Sequence, residues 1–123
     1  MGTFRHSIAI AARPEGPFRS YETLVDTGSL YTWIPRREVE ALGVRPTGTR
    51  QFVLANGDIM AQDITEVVAR LDVQSIHTIC VFGDEGTAPL LGVYTLEGFA
   101  LAVDPVNQRL VPMPQLPLLR NRS

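Results

Sequence analysis

The sequence predicts a mostly-β fold with one or two short helices, and three observations carry that expectation. Short runs of alternating apolar and polar residues recur at intervals marked by Gly, Pro, Asn and Asp. An Asn56-Gly57 pair sits between two such runs. It is the strongest short-range hairpin signal, because both turn positions must tolerate positive φ. The chain has 123 residues, 45% apolar and 20% charged, which suits one globular core.

The elements follow in order. Phe4, His6, Ile8 and Ile10 alternate with Arg5, Ser7 and Ala9 in a first strand, and Pro14-Glu15-Gly16-Pro17 turns the chain. A second strand runs from Phe18 to Val25, breaks at Asp26-Thr27-Gly28-Ser29, and resumes through Tyr31 to Ile34. Arg36 to Leu42 reads as a short helix, with Pro35 at its start and Gly43 as its C-terminal cap. The hairpin around Asn56-Gly57 joins Gln51–Ala55 to Ile59–Ala61. Alternation then runs from Ile64 to Val73 and, after a turn expected at Gln74-Ser75, from Ile76 to Phe82. Pro89-Leu90-Leu91-Gly92 precedes a helical stretch from Tyr94 to Phe99, and the last strands are Ala100–Val103 and Arg109–Val111. The domain is expected to span residues 1–112, and 113–123 to be a Pro-containing C-terminal tail.

Composition removes whole classes of chemistry. All eleven basic residues are arginine, so there is no P-loop lysine and no Schiff-base nucleophile. One cysteine and two histidines cannot build a four-ligand Cys/His zinc site. A formal net charge of -2 with no basic run gives nucleic acid no electrostatic footprint. No apolar run approaches the roughly 18 residues that a spanning helix needs, and Ile8–Ala12 is too short for a signal sequence. No nucleic acid, no membrane and a cytoplasmic location are the resulting expectations.

The chemistry-bearing segment is Thr23-Leu24-Val25-Asp26-Thr27-Gly28-Ser29. It puts a carboxylate at the end of an apolar strand, where it must be hydrogen-bonded, with hydroxyls on either side of a glycine that permits close approach. The triplet alone is weak, because chance places an Asp-Thr-Gly in roughly 2 to 3% of chains this long. An Asx-turn role for Asp26 accounts for it equally well.

Two further blocks change that weighting. Leu24-Val25-Asp26-Thr27-Gly28-Ser29, the Asn56-Gly57 hairpin and Pro89-Leu90-Leu91-Gly92 stand in the order of, and together resemble, the retropepsin-like aspartic proteases, especially their bacterial and archaeal single-domain members. The resemblance covers roughly residues 3 to 112. It implies a closed or partly open β-barrel with a flap hairpin, assembled as a C2 homodimer. It implies no cofactor and no metal.

Aspartic peptidases use two carboxylates that share one proton. This chain carries one Asp-Thr-Gly, since none of Asp58, Asp63, Asp72, Asp84 and Asp104 is followed by Thr-Gly or Ser-Gly. The resemblance therefore implies that each subunit of a homodimer supplies one Asp26. By the same resemblance, Thr27 braces the paired loops, Gly28 leaves room for substrate, and Ser29 steadies the outer Asp26 oxygen. The flap at Asn56 and Gly57 closes over a polypeptide substrate bound in extended form, and Leu24, Leu30, Tyr31, Trp33 and Leu90 match pocket-lining positions that favour apolar side chains. Viral members usually carry an acid where Leu30 stands and an arginine where Val93 stands. The bacterial relatives share this departure.

The implied activity is that of an aspartic endopeptidase. Two other readings stay open: a catalytically silent peptide-binding or dimerisation module of the same fold, and a small β-barrel that binds an apolar ligand. Cys80 is read as a buried inert thiol, His77 as pointing to the opposite face of its strand, His6 as a packed or interfacial side chain, and Arg36 and Arg37 as a solvated helix face.

Overall fold

Where the alternating pattern is strongest, the chain forms strands. The computed structural model describes residues 4–113. Its strands are β1 (Phe4–Ala11), β2 (Arg19–Val25), β3 (Thr32–Pro35), β4 (Gly48–Val53), β5 (Ile59–Leu71), β6 (Gln74–Gly83), β7 (Leu90–Leu91), β8 (Leu101–Asp104) and β9 (Arg109–Pro112). Two short helices, α1 (Arg36–Ala41) and α2 (Val93–Gly98), complete the fold. The expected C-terminal tail, 113–123, falls outside the described residues apart from Met113. Among the described residues no helix is long and apolar enough to cross a membrane.

Seven strands make one sheet in the order β1-β2-β7-β3-β6-β5-β4, and β8 pairs with β9 in a separate two-stranded sheet. This corrects the expected barrel. The sheet bends back until β1 meets β5, but that seam holds only Ala9–Ala11 against Val68–Arg70. The cause lies in how β5 divides its length. Its residues Ile59–Ile64 pair with β4, which occupies the same edge that β1 would need. Only the far end of that edge remains for β1, and β4 stands outside any closed ring.

Ile59–Leu71 is one unbroken strand of 13 residues, although Gln62 and Asp63 interrupt the alternation. Residues Ile59–Asp63 are exposed or half-buried and Ile64–Leu71 mostly buried, so the β4–β5 hairpin projects from the body of the sheet as an arm. The turn into β6 also differs from expectation. Leu71 pairs with Gln74, leaving Asp72 and Val73 as the turn, with Asp72 at φ 54°. A short polar side chain tolerates that left-handed backbone better than most.

Pro35 opens α1, and Gly43, at φ +90°, ends its last turn by donating to the Glu40 carbonyl at 2.9 Å. Arg36 is not simply solvated. Its guanidinium bonds the Asp63 carboxylate at 2.7 Å and lies 4.9 Å from the Phe82 ring centroid, tying α1 to β5 and β6. Val39 turns inward to a core that contains Ile10, Ile34, Phe82, Leu91 and Leu96. That core seats the sheet on both helices and fixes what lies at the ends of β2 and β3.

Candidate active site

Residues 26–31 connect β2 to β3, yet those strands are not neighbours. The two-residue strand β7 lies between them, parallel to β2 through Leu24↔Leu90 and Val25↔Leu91 and antiparallel to β3 through Trp33↔Leu90. The loop is therefore held from below by a segment distant in the chain. The Asp26 amide donates to the Leu91 carbonyl at 3.1 Å, and the Val93 and Tyr94 amides donate to the carbonyls of Ser29 (2.9 Å) and Leu30 (2.8 Å).

Gly92 is required at this junction. A Cβ there would collide with the backbone carbonyls of Tyr31 and Leu30. Its own amide donates to Thr32 Oγ1 at 3.2 Å. The Leu-Leu-Gly element thus works as a backbone cradle, with Leu91 buried beneath it.

Asp26 is half-buried where β2 leaves the core. Its Oδ1 accepts the Gly28 amide at 2.9 Å, and its carbonyl accepts the Ser29 amide at 3.1 Å. This is an Asx-type turn that fixes the plane of the carboxylate. The Ser29 hydroxyl donates to the Tyr31 carbonyl at 2.9 Å, so here the Gly28 amide, and not Ser29, steadies Asp26. Thr27 is exposed, and its hydroxyl has no partner among the described residues.

Between this loop and the β4–β5 arm lies a cavity of about 680 Å³. It brings together Gly28, Ser29, Leu30, Tyr31 and Leu90 from the expected site, with Trp33. Asp26, Thr27, Leu24, Asn56 and Gly57 do not line it. Leu24 is half-buried beside Leu90, while Asn56 and Gly57 form the exposed tip of the arm, where Asn56 Oδ1 accepts the Asp58 amide at 2.9 Å.

The opposite wall comes from β4 and β5, chiefly Phe52 and Met60. The Phe52 ring stands 4.9 Å from Trp33 and 6.4 Å from Tyr31, the latter at 90°, so an aromatic cluster joins the arm to the loop. Phe52 was not among the expected site residues. The available signal was its place as an aromatic between Gln51 and Val53, one strand length from the turn. Arg50, Asp84 and Thr87 add polar groups to the lining.

The other titratable residues stand apart from this chemistry. Cys80 is fully buried and unpaired, and burial pushes its thiol up to about 12. His77 is exposed, 3.9 Å from Glu66. His6 lines a second cavity of about 260 Å³ near the seam of β1 with β5. Among the described residues no three His, Cys, Asp or Glu side chains gather as metal ligands would.

Comparisons with known proteins bear on this arrangement. The family model described as aspartyl protease matches residues 12–93. Two solved structures are similar in fold. The retropepsin-like aspartic protease from Rickettsia conorii aligns at a TM-score of 0.56 with 20% identity, over 85% of this chain and 89% of that one. The retroviral protease-like domain of Ddi1 from Leishmania major aligns at 0.53 with 14% identity, over 91% and 89%. No curated protein matches.

Proposed function

We propose, from the premise that this chain belongs to the aspartyl protease family, that it is an endopeptidase acting as a homodimer with one Asp26 from each subunit. The observation that carries the reading is the Asp26-Thr27-Gly28 loop, held rigidly by β7 and α2 beside an apolar cavity walled by a projecting hairpin.

In this reading the two loops meet on a twofold axis and the two Asp26 carboxylates share one proton. The ionised carboxylate removes a proton from a water molecule as its oxygen attacks the scissile carbonyl carbon. The protonated one donates a hydrogen bond to the carbonyl oxygen. Collapse of the tetrahedral intermediate breaks the C–N bond, and a proton passes from the carboxylate pair to the leaving amine. Water adds across the peptide bond, and the pair is returned to its starting state.

The surrounding residues have parts in the same proposal. Thr27, exposed beside Asp26, bonds its mate across the axis in this reading. Leu30, Tyr31, Trp33, Phe52 and Leu90 receive an apolar substrate side chain. The arm carries exposed Val53 and Ile59 near its tip, an apolar cover for an extended polypeptide. The buried, unpaired Cys80 suits the reducing cytoplasm where we place the reaction.

The deciding experiment pairs sedimentation with cleavage of an unfolded polypeptide at mildly acidic pH, comparing wild type with Asp26→Asn. The expected result is a dimer for both proteins and hydrolysis by wild type alone. Cleavage that survives Asp26→Asn overturns the proposal. Saturable peptide binding by a wild type that never cleaves would favour a silent binding module.

A further inference from the structure

Beneath the Asp26 loop, three threonine hydroxyls form a chain inside the apolar core. Thr32 Oγ1 lies 2.7 Å from Thr95 Oγ1, which lies 2.8 Å from Thr78 Oγ1. Thr32 and Thr95 are 0% exposed and Thr78 is 2% exposed. The chain crosses three elements, since Thr32 is in β3, Thr95 in α2 and Thr78 in β6. Burying a hydroxyl is unfavourable unless it is hydrogen-bonded, and a fully satisfied network fixes one geometry where apolar contacts accept several.

This geometry leads directly to the loop. Thr32 Oγ1 also accepts the Gly92 amide at 3.2 Å. Gly92 immediately precedes α2, whose first two amides hold the carbonyls of Ser29 and Leu30. On its other side Leu91 holds the Asp26 amide. α2 has only six residues and buries just Thr95 and Leu96 along its length, so packing alone defines its rotation weakly. Thr95 is the single residue through which α2 is hydrogen-bonded by side chain to both β3 and β6.

We propose that the Thr78–Thr95–Thr32 hydroxyl chain is a positioning device for Asp26. It sets the rotation of α2 against β3 and β6, and α2 passes that setting to Ser29 and Leu30 through its first two amides. The threonines are positioning residues and touch no substrate. The kinetic consequence rests on the peptidase reading, whereas the mechanical one rests on the hydrogen bonds.

The test compares Thr95→Val, which keeps the shape and loses the hydroxyl, with Thr95→Ser, which keeps the hydroxyl. Two measurements are made on the full chain: steady-state cleavage, and hydrogen exchange at single amides. Thr95→Val is expected to lower kcat by about tenfold or more with KM within about twofold, because a small misplacement of reacting groups acts on the chemical step. The Val93 and Tyr94 amides should exchange about tenfold faster while those of Val67 and Val81 in β5 and β6 keep their wild-type rates. Thr95→Ser should restore both properties to within about threefold of wild type. Unchanged exchange at Val93 and Tyr94 overturns the proposal, as does an equal acceleration throughout β5 and β6, which marks a general loss of stability. Should wild type cleave nothing, the peptidase reading fails and the exchange pattern alone decides. Should Thr95→Val not fold, Thr78→Val breaks only the outer link and is judged by the same exchange pattern.

Discussion

The backbone amide of Gly28 donates to Oδ1 of Asp26 at 2.9 Å, so the glycine of the triplet holds the carboxylate that precedes it by two residues. A Cβ on residue 28 would lie 3.2 Å from that same oxygen. Gly28→Ala should therefore leave the fold intact and turn the carboxylate from its plane. We expect kcat to fall by about tenfold or more, equivalent to about 1.4 kcal/mol in the barrier. Turnover measured beside an unchanged circular dichroism spectrum checks this, and full activity would refute it.

Gly92→Ala should behave differently. The added carbon meets the carbonyls of Tyr31 and Leu30, which are backbone atoms with nowhere to retreat. The expected result is loss of soluble folded protein, or a thermal midpoint lower by more than about 10 °C, since a loss of about 3 kcal/mol or more moves a domain of this size that far. Differential scanning fluorimetry supplies the comparison.

Phe52→Ala removes the ring that links the arm to Trp33 and Tyr31. Because Phe52 is only half-buried, the stability cost should be modest, about 1 kcal/mol. The larger effect should fall on substrate. KM for peptides with a bulky apolar side chain should rise about tenfold while kcat changes little, since the lost contact is made in ground and transition states alike. A rise confined to kcat would contradict this.

Cys80 gives a prediction in pH. Burial raises its thiol from 9.0 to about 12 in the folded chain. Below about pH 9 the thiol is neutral whether the chain is folded or not, and it adds no pH dependence. Above that, the unfolded chain releases the proton while the fold retains it, so stability falls as pH rises toward 12, by up to about 1.4 kcal/mol per unit. Urea midpoints at pH 8 and pH 10 should show the decline, and Cys80→Val should remove part of it. Thiol reagents at pH 8 should react only as fast as the chain unfolds.

Much of this was legible in the sequence because local chemistry decides it. Pro35 and Gly43 bracket α1, Asn56 and Gly57 form the tip of the arm, and the alternation of β1 and β2 survives into their pairing. Other features are set by partners far along the chain. Leu90 and Leu91 are too few to show a period, yet as β7 they part β2 from β3. Asp63 lies between the runs Ile59–Ala61 and Ile64–Val73, and its role as the anion that Arg36 binds depends on a residue 27 positions away. The barrel expectation came from resemblance, and it gave way because β4 occupies the edge of β5 that closure would have used. The triplet was visible at once, but nothing local showed that Gly28 and not Ser29 would hold Asp26, or that Phe52 would face Trp33.

The insertion of β7 between β2 and β3 has a consequence for the timing of synthesis. Asp26 is synthesised before its supports, because the carbonyl of Leu91 and the amides of Val93 and Tyr94 that hold its loop follow it by about 65 residues. A nascent or truncated chain can display the Asp-Thr-Gly triplet and still lack the cradle that orients it. The carboxylate is thereby left without its backbone supports until Leu91, Val93 and Tyr94 have joined the fold.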